Sequence, residues 1–213
     1  MGLFGKKLKQ EHKVMLQVER AQGKRLQEYH RATAECPHPE RWSMYDSMTA
    51  EVEVLEFLRT LVTTIKPNLI VETGSFLGVS TLWMAEGLES NGFGRIVSCE
   101  YDPVVFAKAK EKIAASPLSS RIDLRNESSL EIKIDGTIDL FFSDSDLPIR
   151  ALEIKRFLPQ ISPYGMILIH DASSHLKVVR DAALELEQQG LLSCVFLSTP
   201  RGLVLAQKRE GRK

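Results

Sequence analysis

Acidic and polar side chains follow the five apolar segments of this 213-residue chain that read as strands. An open parallel sheet binds its ligands beyond the carboxyl ends of its strands, so these side chains are expected to meet in one crevice. Carboxylates placed there could accept ligand hydroxyl groups, hold a divalent cation or take up a proton. In chain order, the polar groups are Glu72, then Glu100 and Tyr101, then Glu127 and Ser128, then Asp144 and Asp146, and finally His170 and Asp171.

The turn after the first strand, ETGSFLG over residues 72–78, is the first local signal. Its glycines, Gly74 and Gly78, let a ligand approach the backbone and let the next helix pack close to the strand. Phe76 stands where dinucleotide-binding turns carry a second glycine, which gives a pyrophosphate access to the backbone. The turn therefore disfavours a pyrophosphate ligand, and with it a dehydrogenase.

Glu100, at the end of the second strand, is the second signal. A carboxylate in this position can accept hydrogen bonds from both hydroxyl groups of a ribose. No neighbouring residue looks like the arginine that would suit a 2′-phosphate. Together with the glycine turn, Glu100 predicts that the crevice binds a ribose.

An alternation of helices and strands must position these residues, and a hairpin follows it. Thr49 is predicted to cap a helix that ends at Pro67, and Asp102 to cap the helix over Pro103 to Ala115. The other predicted helices are Ser80–Leu88, Ile149–Ile161 and Lys177–Gln189. The predicted strands are Leu69–Val71, Arg95–Glu100, Ile122–Arg125, Ile138–Ser143, Met166–His170, Leu191–Leu197 and Leu203–Ala206. This pattern predicts an α/β, Rossmann-like, doubly wound sheet of seven strands, mostly parallel, with a C-terminal antiparallel hairpin.

The N-terminal part of the chain differs in character. Residues Lys6 to Ala34 are highly charged and lack proline, which predicts a helix, and the prolines that follow Cys36 break it. We therefore divide the chain into a helical N-terminal extension, residues 1–45, that serves as a lid or a dimer arm, and a cofactor-binding domain, residues 46–213. Trp42 and Tyr45 could line a substrate entrance.

Taken together, these features resemble the class I S-adenosylmethionine-dependent methyltransferases. The resemblance is to the small O-methyltransferases of the catechol and caffeoyl-CoA type and their bacterial relatives, over roughly residues 45–207. The matching stretches are IVETGSFLGVSTLWMA, RIVSCEYDP, NESS, IDLFFSDSD and GMILIHDAS. The final hairpin also matches, since these proteins end with a reversed strand at the sheet edge.

The resemblance implies S-adenosylmethionine as the cofactor and gives each polar residue a role. The turn holds the methionine end of the cofactor, and Ser80 lies near its carboxylate. Glu100 binds the ribose hydroxyls, Tyr101 packs on the adenine, and Asp144 lies beside the sulfonium. The full set of predicted cofactor-binding residues is Glu72, Gly74, Ser75, Gly78, Ser80, Glu100, Tyr101, Glu127, Ser128 and Asp144.

The resemblance also implies a divalent cation, Mg²⁺ or another, but with an incomplete ligand set. In the similar enzymes, an Asp after the fourth strand and an acidic or amide pair after the fifth hold the ion. Asp144 and Asp171 match the first two positions, whereas the third is Ala172, which cannot be a ligand. The lysine of the catechol enzymes is replaced by Leu147. Asp146 could supply the missing carboxylate.

A hydroxyl acceptor must lose its proton, either to a side chain or with the help of a cation. Asp144, Asp146 and His170 are the candidate catalytic residues. Two of them have a structural alternative: Asp146 could only cap the next helix, and His170 could be a buried structural histidine. Because side chains alternate along a strand, His170 and Asp171 are expected to start out on opposite faces.

The function expected from these residues is O-methylation of a small hydroxylated molecule. A non-catalytic cofactor-binding or assembly protein with the same fold is the alternative, motivated by the incomplete metal set. Lys+Arg and Asp+Glu number 28 each, which argues against nucleic acid as the partner. No apolar run approaches a membrane span, and the three cysteines show no disulfide pattern, so we expect a cytoplasmic protein without a membrane partner. A homodimer is a further expectation.

Overall fold

The computed structural model describes residues 24–26 and 31–209. Its strands are β1 (Lys24–Arg25), β2 (Ser43–Met44), β3 (Leu69–Thr73), β4 (Arg95–Cys99), β5 (Ile122–Arg125), β6 (Ile138–Ser143), β7 (Ile161–His170), β8 (Leu192–Leu197) and β9 (Leu203–Lys208). Its helices are α1 (Val52–Ile65), α2 (Val79–Asn91), α3 (Pro103–Ala114), α4 (Arg150–Phe157) and α5 (Lys177–Gln188). None of the helices in the described residues is long and apolar enough to cross a membrane.

The main sheet has seven strands in the order β5–β4–β3–β6–β7–β9–β8. The five strands β5, β4, β3, β6 and β7 are parallel to one another. Strand β9 is antiparallel to both of its neighbours, β7 and β8. The predicted fold class is therefore confirmed. From β3 the chain continues to β4 and β5 on one side of β3, and it then crosses to β6 on the other side of β3. Ligands bind at such a reversal of strand order, so the crevice is expected at the carboxyl ends of β3 and β6.

Two apolar layers hold the sheet between the helices. Leu140 and Phe142 of β6 belong to the layer under α1 and α2, whereas Phe141 packs in the layer under α4 and α5. All three are fully buried, as expected for a parallel strand covered on both faces. Because helices cover both faces of the sheet, each strand is held in position, and so are the polar residues at the strand ends.

Two predicted helix starts had different outcomes. Asp102 caps α3 as predicted, with its side chain accepting hydrogen bonds from the backbone N–H groups of the first turn. The prediction that Thr49 caps α1 was wrong, because Glu51 occupies the N-cap position. Thr49 instead donates its hydroxyl and its N–H to Asp46, at 2.7 Å in each case.

The seven predicted strands are all present, and β7 differs most from its predicted extent. It begins at Ile161 rather than at Met166, because Ile161 pairs with Ile138 of β6 across a register irregularity. The Pro163-Tyr164-Gly165 segment, which precedes the predicted strand, therefore lies inside β7. The helix predicted over 149–161 accordingly ends earlier, as α4 at Phe157.

The predicted N-terminal helix lies largely outside the described residues, which exclude 1–23 and 27–30. Where the prediction can be compared, it was wrong: Lys24–Arg25 form β1, which pairs antiparallel with β2. The pairing is extended by a 2.9 Å hydrogen bond from the N–H of Leu26 to the carbonyl of Trp42. Leu26 is fully buried, so tertiary packing outweighs the helical tendency of this charged segment. The division of the chain at residue 45 stays a prediction.

Candidate functional site

The turn after β3 lies directly against the chain that leaves β6. Gly74, Phe76 and Gly78 all have left-handed backbone conformations, with φ of 79°, 48° and 74°. The N–H of Gly74 donates to the carbonyl of Cys99, the last residue of β4, at 3.0 Å. A Cβ on Gly74 would stand 2.5 Å from the carbonyl oxygen of Asp144. Glycine is therefore required at position 74 by both its conformation and the close approach of two backbones.

Glu100 faces this turn. Its Oε2 accepts a hydrogen bond from the N–H of Phe76 at 2.9 Å, and its Oε1 accepts one from the N–H of Asp102 at 2.9 Å. The side-chain amide of Asn126 fixes the backbone here by donating to the carbonyl of Glu100 at 2.8 Å. A carboxylate has about four acceptor positions, so Glu100 retains capacity for two ligand hydroxyl groups. The predicted pairing of the second strand end with the first turn is thus present.

The predicted adenine-binding residues lie beside Glu100 on the same edge of the sheet. The ring of Tyr101 is 78% exposed and free to pack on a planar ligand. Glu127 is exposed, and Ser128 is half-buried after the adjacent strand, β5. The Ser128 hydroxyl accepts a hydrogen bond from the N–H of Leu130 at 3.3 Å. These positions agree with an exposed rim around a nucleoside.

Glu72 has a different position from the one predicted. Its side chain points into the domain, is fully buried, and accepts hydrogen bonds from the hydroxyls of Ser80, Thr81 and Ser98. Burial raises the pKa of the Glu72 carboxyl, although the three hydroxyl contacts oppose this change. Glu72 therefore holds β3, β4 and α2 together from inside the domain and offers no surface to a ligand.

Two serine hydroxyls at the junction of the turn with β6 have no partner among the described residues. The Oγ atoms of Ser75 and Ser145 are buried, and no hydrogen bond satisfies either one. Buried polar groups are almost always hydrogen-bonded in folded proteins. The two hydroxyls are consistent with a polar ligand that binds between the turn and the end of β6.

The other half of the site is a buried network of charges around His170. The His170 ring is fully buried, with Nε2 2.7 Å from Oε2 of Glu51 and Nδ1 3.0 Å from Oδ1 of Asp144. Burial alone would lower the pKa of His170, but the neighbouring carboxylates outweigh it and raise the pKa to about 10. The ring is thus protonated near neutral pH and donates to both carboxylates.

Asp171 lies on the same side as His170, contrary to the expected alternation. Its backbone is left-handed, with φ of 60°, and this turn brings its Oδ1 to 3.7 Å from Nδ1 of His170. Arg201 binds Asp171 through two parallel hydrogen bonds, of 2.6 and 3.0 Å. Burial disfavours the charged carboxylate, but the attraction of His170 and of two arginines outweighs it and holds the pKa of Asp171 well below its usual range.

The second arginine, Arg150, joins the two halves of the network. Its Nη2 donates to Oδ1 of Asp144 at 3.2 Å and to Oδ2 of Asp171 at 3.0 Å. Its Nε donates to the carbonyl of Ser145 at 2.8 Å, and its Nη1 contacts the carbonyl of His170. The side chain is only 3% exposed. Arg150 therefore fixes the end of β6 relative to the end of β7.

The sequence did not reveal three members of this network: Glu51, Arg150 and Arg201. In the sequence, Glu51 is one charge near the start of the helix predicted after Thr49, and Arg201 is one residue of the loop between the last two predicted strands. Arg150 follows Asp144 by six residues, a spacing that could have indicated an ion pair but is common at random. Asp146, a predicted catalytic residue, is exposed and precedes a short 3-10 turn without capping it.

Comparisons with known proteins agree with this geometry. A family model described as a methyltransferase domain matches residues 71–172. A catechol O-methyltransferase of Niastella koreensis is 30% identical over an alignment of 132 positions that covers 59% of this chain and 56% of that protein. The matched part of the chain thus spans little more than half the length of this curated relative.

Solved structures show the same fold. A methyltransferase of Podospora anserina with bound S-adenosylhomocysteine has a TM-score of 0.70 at 19% identity, over 76% of this chain and 81% of that one. An O-methyltransferase of Bacillus cereus, also in complex with S-adenosylhomocysteine, has a TM-score of 0.68 at 21% identity, over 77% and 84%. The chain has the Rossmann-like fold of these methyltransferases, and the resemblance identified in its sequence is confirmed.

Proposed function

We infer that this chain is an S-adenosylmethionine-dependent methyltransferase, and we propose that it methylates a hydroxyl group of a small molecule. The position of Glu100 carries the proposal, because its carboxylate lies 2.9 Å from the N–H of Phe76 in the glycine turn. A carboxylate that can accept hydrogen bonds from ribose hydroxyls and a turn whose backbone a ligand can approach therefore lie in one crevice. The matched methyltransferase domain and the S-adenosylhomocysteine bound by two proteins of the same fold support this cofactor.

The residues around the crevice fit the cofactor from end to end. The unpartnered hydroxyls of Ser75 and Ser145 suit its charged amino-acid end, Glu100 suits the ribose, and Tyr101 suits the adenine. Glu72, which the resemblance placed in contact with the cofactor, holds the turn in position from inside the domain.

The chain must also remove the proton of the acceptor hydroxyl. Bound S-adenosylmethionine supplies a methyl group on a sulfonium, which an in-line acceptor oxygen can attack. His170 cannot take up the proton that leaves, because its protonated ring already donates from both nitrogens. The carboxylates of Asp144 and Asp146 are the remaining candidates. Asp144 lies nearer to the turn, and no described residue hydrogen-bonds to its Oδ2.

We therefore expect Asp144→Asn to lower kcat by about 100-fold or more, the usual range for a general base. Asp146→Asn makes the same change on an exposed neighbour and is expected to have a small effect. Turnover is measured at saturating cofactor, with S-adenosylhomocysteine affinity as the check that binding is intact. A larger loss in Asp146→Asn than in Asp144→Asn would assign the proton to Asp146 instead.

A cavity of about 280 Å³ supports a small acceptor. It is lined by Trp42, Glu53, Val54, Phe57, Leu197, Ser198, Thr199 and Leu203. Leu203 pairs with His170 across β7 and β9, so the cavity lies next to the strand end that carries the charged network. Its volume lies just below the range of about 300–1,000 Å³ that is usual for small-molecule sites. We propose that it receives the acceptor. The homodimer stays a prediction.

Calorimetry with S-adenosylhomocysteine tests the proposed function. We expect binding at tens of micromolar or tighter. Glu100→Gln keeps one side-chain oxygen and loses one hydrogen bond to a charged group, worth about 1.5–3 kcal/mol, so we expect it to bind about 10- to 150-fold more weakly. Glu111→Gln removes the same charge from the exposed face of α3 and serves as the control. Absence of binding by the folded protein would refute the proposal.

Methyl transfer from the labelled cofactor to a panel of small hydroxylated aromatic molecules then separates the enzyme from its alternative. A non-catalytic cofactor-binding protein would bind S-adenosylhomocysteine with the same dependence on Glu100 but would label none of the panel.

A further inference from the structure

The carboxylates that resemble a metal site enclose a protein cation instead. One ligand atom each of Asp144, His170 and Asp171 lies within 4.8 Å of the others, close enough in principle to surround one ion. Divalent cations such as Mg²⁺ require oxygen ligands with free lone pairs, and histidine binds a metal only through an unprotonated nitrogen. The site can be judged by whether those lone pairs are available.

Almost all of these lone pairs are already engaged. Both oxygens of Asp171 accept hydrogen bonds from guanidinium groups, and both nitrogens of His170 face carboxylates. Oδ1 of Asp144 is shared between His170 and Arg150. Among the carboxylate oxygens of the cluster, only Oδ2 of Asp144 accepts no hydrogen bond from the described residues, and one such oxygen does not make a binding site for a hard cation. The residues present therefore do not fit the divalent cation that the sequence resemblance implied.

The two aspartates already have cationic partners without a metal. The carboxylates of Asp144 and Asp171 meet the guanidinium groups of Arg150 and Arg201. A buried ion pair is favourable only when each charge is compensated and hydrogen-bonded. A bound divalent cation would add two uncompensated positive charges or would have to displace an arginine.

Arg150 is the cation that stands where an ion would bridge the two aspartates. Its Nη2 lies 3.2 Å from Asp144 and 3.0 Å from Asp171, and Ser145 holds the guanidinium through its carbonyl. We propose that Arg150 takes the place of a divalent cation at Asp144 and Asp171, so that this cluster neither binds nor needs a metal. The statement about binding is independent of the proposed function, and only the statement about need rests on it.

Mn²⁺ binding, followed by electron paramagnetic resonance and calorimetry, tests the proposal on the full chain. We expect that the unaltered protein does not bind Mn²⁺ at this cluster at millimolar concentrations. Any weak binding elsewhere should be the same in Asp144→Asn. Arg150→Gln removes the positive charge and should gain a site for Mn²⁺. We expect this variant to bind Mn²⁺ at least about tenfold more tightly than the unaltered protein, since affinity follows the ligand charge. Arg150→Lys keeps the charge and is the matched control, for which no gain is expected.

Two results would overturn the proposal: Mn²⁺ binding to the unaltered protein that Asp144→Asn abolishes, or a folded Arg150→Gln variant that gains no site. If Arg150→Gln folds only when Mn²⁺ is present, the proposal is supported, because a ligand that binds only the native state stabilises it. If it does not fold at all, the unaltered protein and Asp144→Asn still decide. Methyl transfer should be unchanged by chelators, whereas absence of any transfer would count against the proposed function alone.

Discussion

Gly74→Ala is expected to abolish S-adenosylhomocysteine binding and to lower the free energy of unfolding by about 3 kcal/mol or more. The new methyl group would stand 2.5 Å from the carbonyl oxygen of Asp144 and 2.7 Å from Cα of Ser145. Both are backbone atoms at the end of a buried strand, so neither can move without displacing β6. The left-handed backbone, with φ of 79°, adds a penalty of its own for alanine.

Gly92→Ala separates these two effects. Gly92 has almost the same conformation, with φ of 86°, but nothing lies within 4 Å of its added Cβ. We expect this variant to cost about 1 kcal/mol and to bind S-adenosylhomocysteine normally. Denaturant unfolding and calorimetry of both variants provide the measurements. Similar losses of stability in the two variants would mean that the close approach of the turn to β6 is not what requires glycine.

Asp171→Asn is expected to cost about 3–5 kcal/mol of stability, the range for one partner removed from a buried ion pair. The carboxylate accepts hydrogen bonds from Arg201 at both oxygens and from Arg150 at Oδ2. An asparagine would place an NH₂ group against at least one of these guanidinium N–H donors. Two positive charges would then lack the carboxylate to which both donate hydrogen bonds.

Asp123→Asn is the matched change on the surface. Asp123 pairs with Arg125 at 2.6 Å, the same distance as the shortest ion pair between Asp171 and Arg201, but the Asp123 side chain is 48% exposed. Exposed ion pairs are typically worth about 0.2–1 kcal/mol, so the variant should unfold almost as the unaltered protein does. Chemical denaturation of both proteins tests the difference. A cost below 1 kcal/mol for Asp171→Asn would show that the arginines find water or other acceptors.

The sequence was sufficient for the sheet and for the cofactor half of the site, because both depend on local signals. The periodicity of apolar residues and the turn residues located seven strands. Because the carboxyl ends of parallel strands lie at one edge of the sheet, Glu100 could be placed beside the turn that contains Phe76. The same reasoning could not assign a face to Glu72. Its direction depends on Ser80, Thr81 and Ser98, which lie on two other elements and offer hydroxyls inside the domain.

The charged half of the site could not be derived in the same way. His170 and Glu51 are 119 residues apart, and a buried arginine such as Arg150 has the same sequence signature as a surface arginine on a helix. Asp171 shares a side with His170 only because its backbone is left-handed, which a strand pattern does not encode. Without Arg150 and Arg201 in view, two aspartates at strand ends indicate a metal site.

The hairpin loop between β8 and β9 affects the order in which parts of the protein can fold during synthesis. Arg201 donates its N–H to Glu51 at 2.8 Å, across 150 residues, and its side chain reaches the carbonyls of Met48 and Thr49. Translation must therefore proceed 150 residues beyond Glu51 before the N-terminal end of α1 acquires this partner. Until then Asp171 lacks Arg201, one of its three cationic neighbours, so the charged half of the site should be completed after the cofactor half.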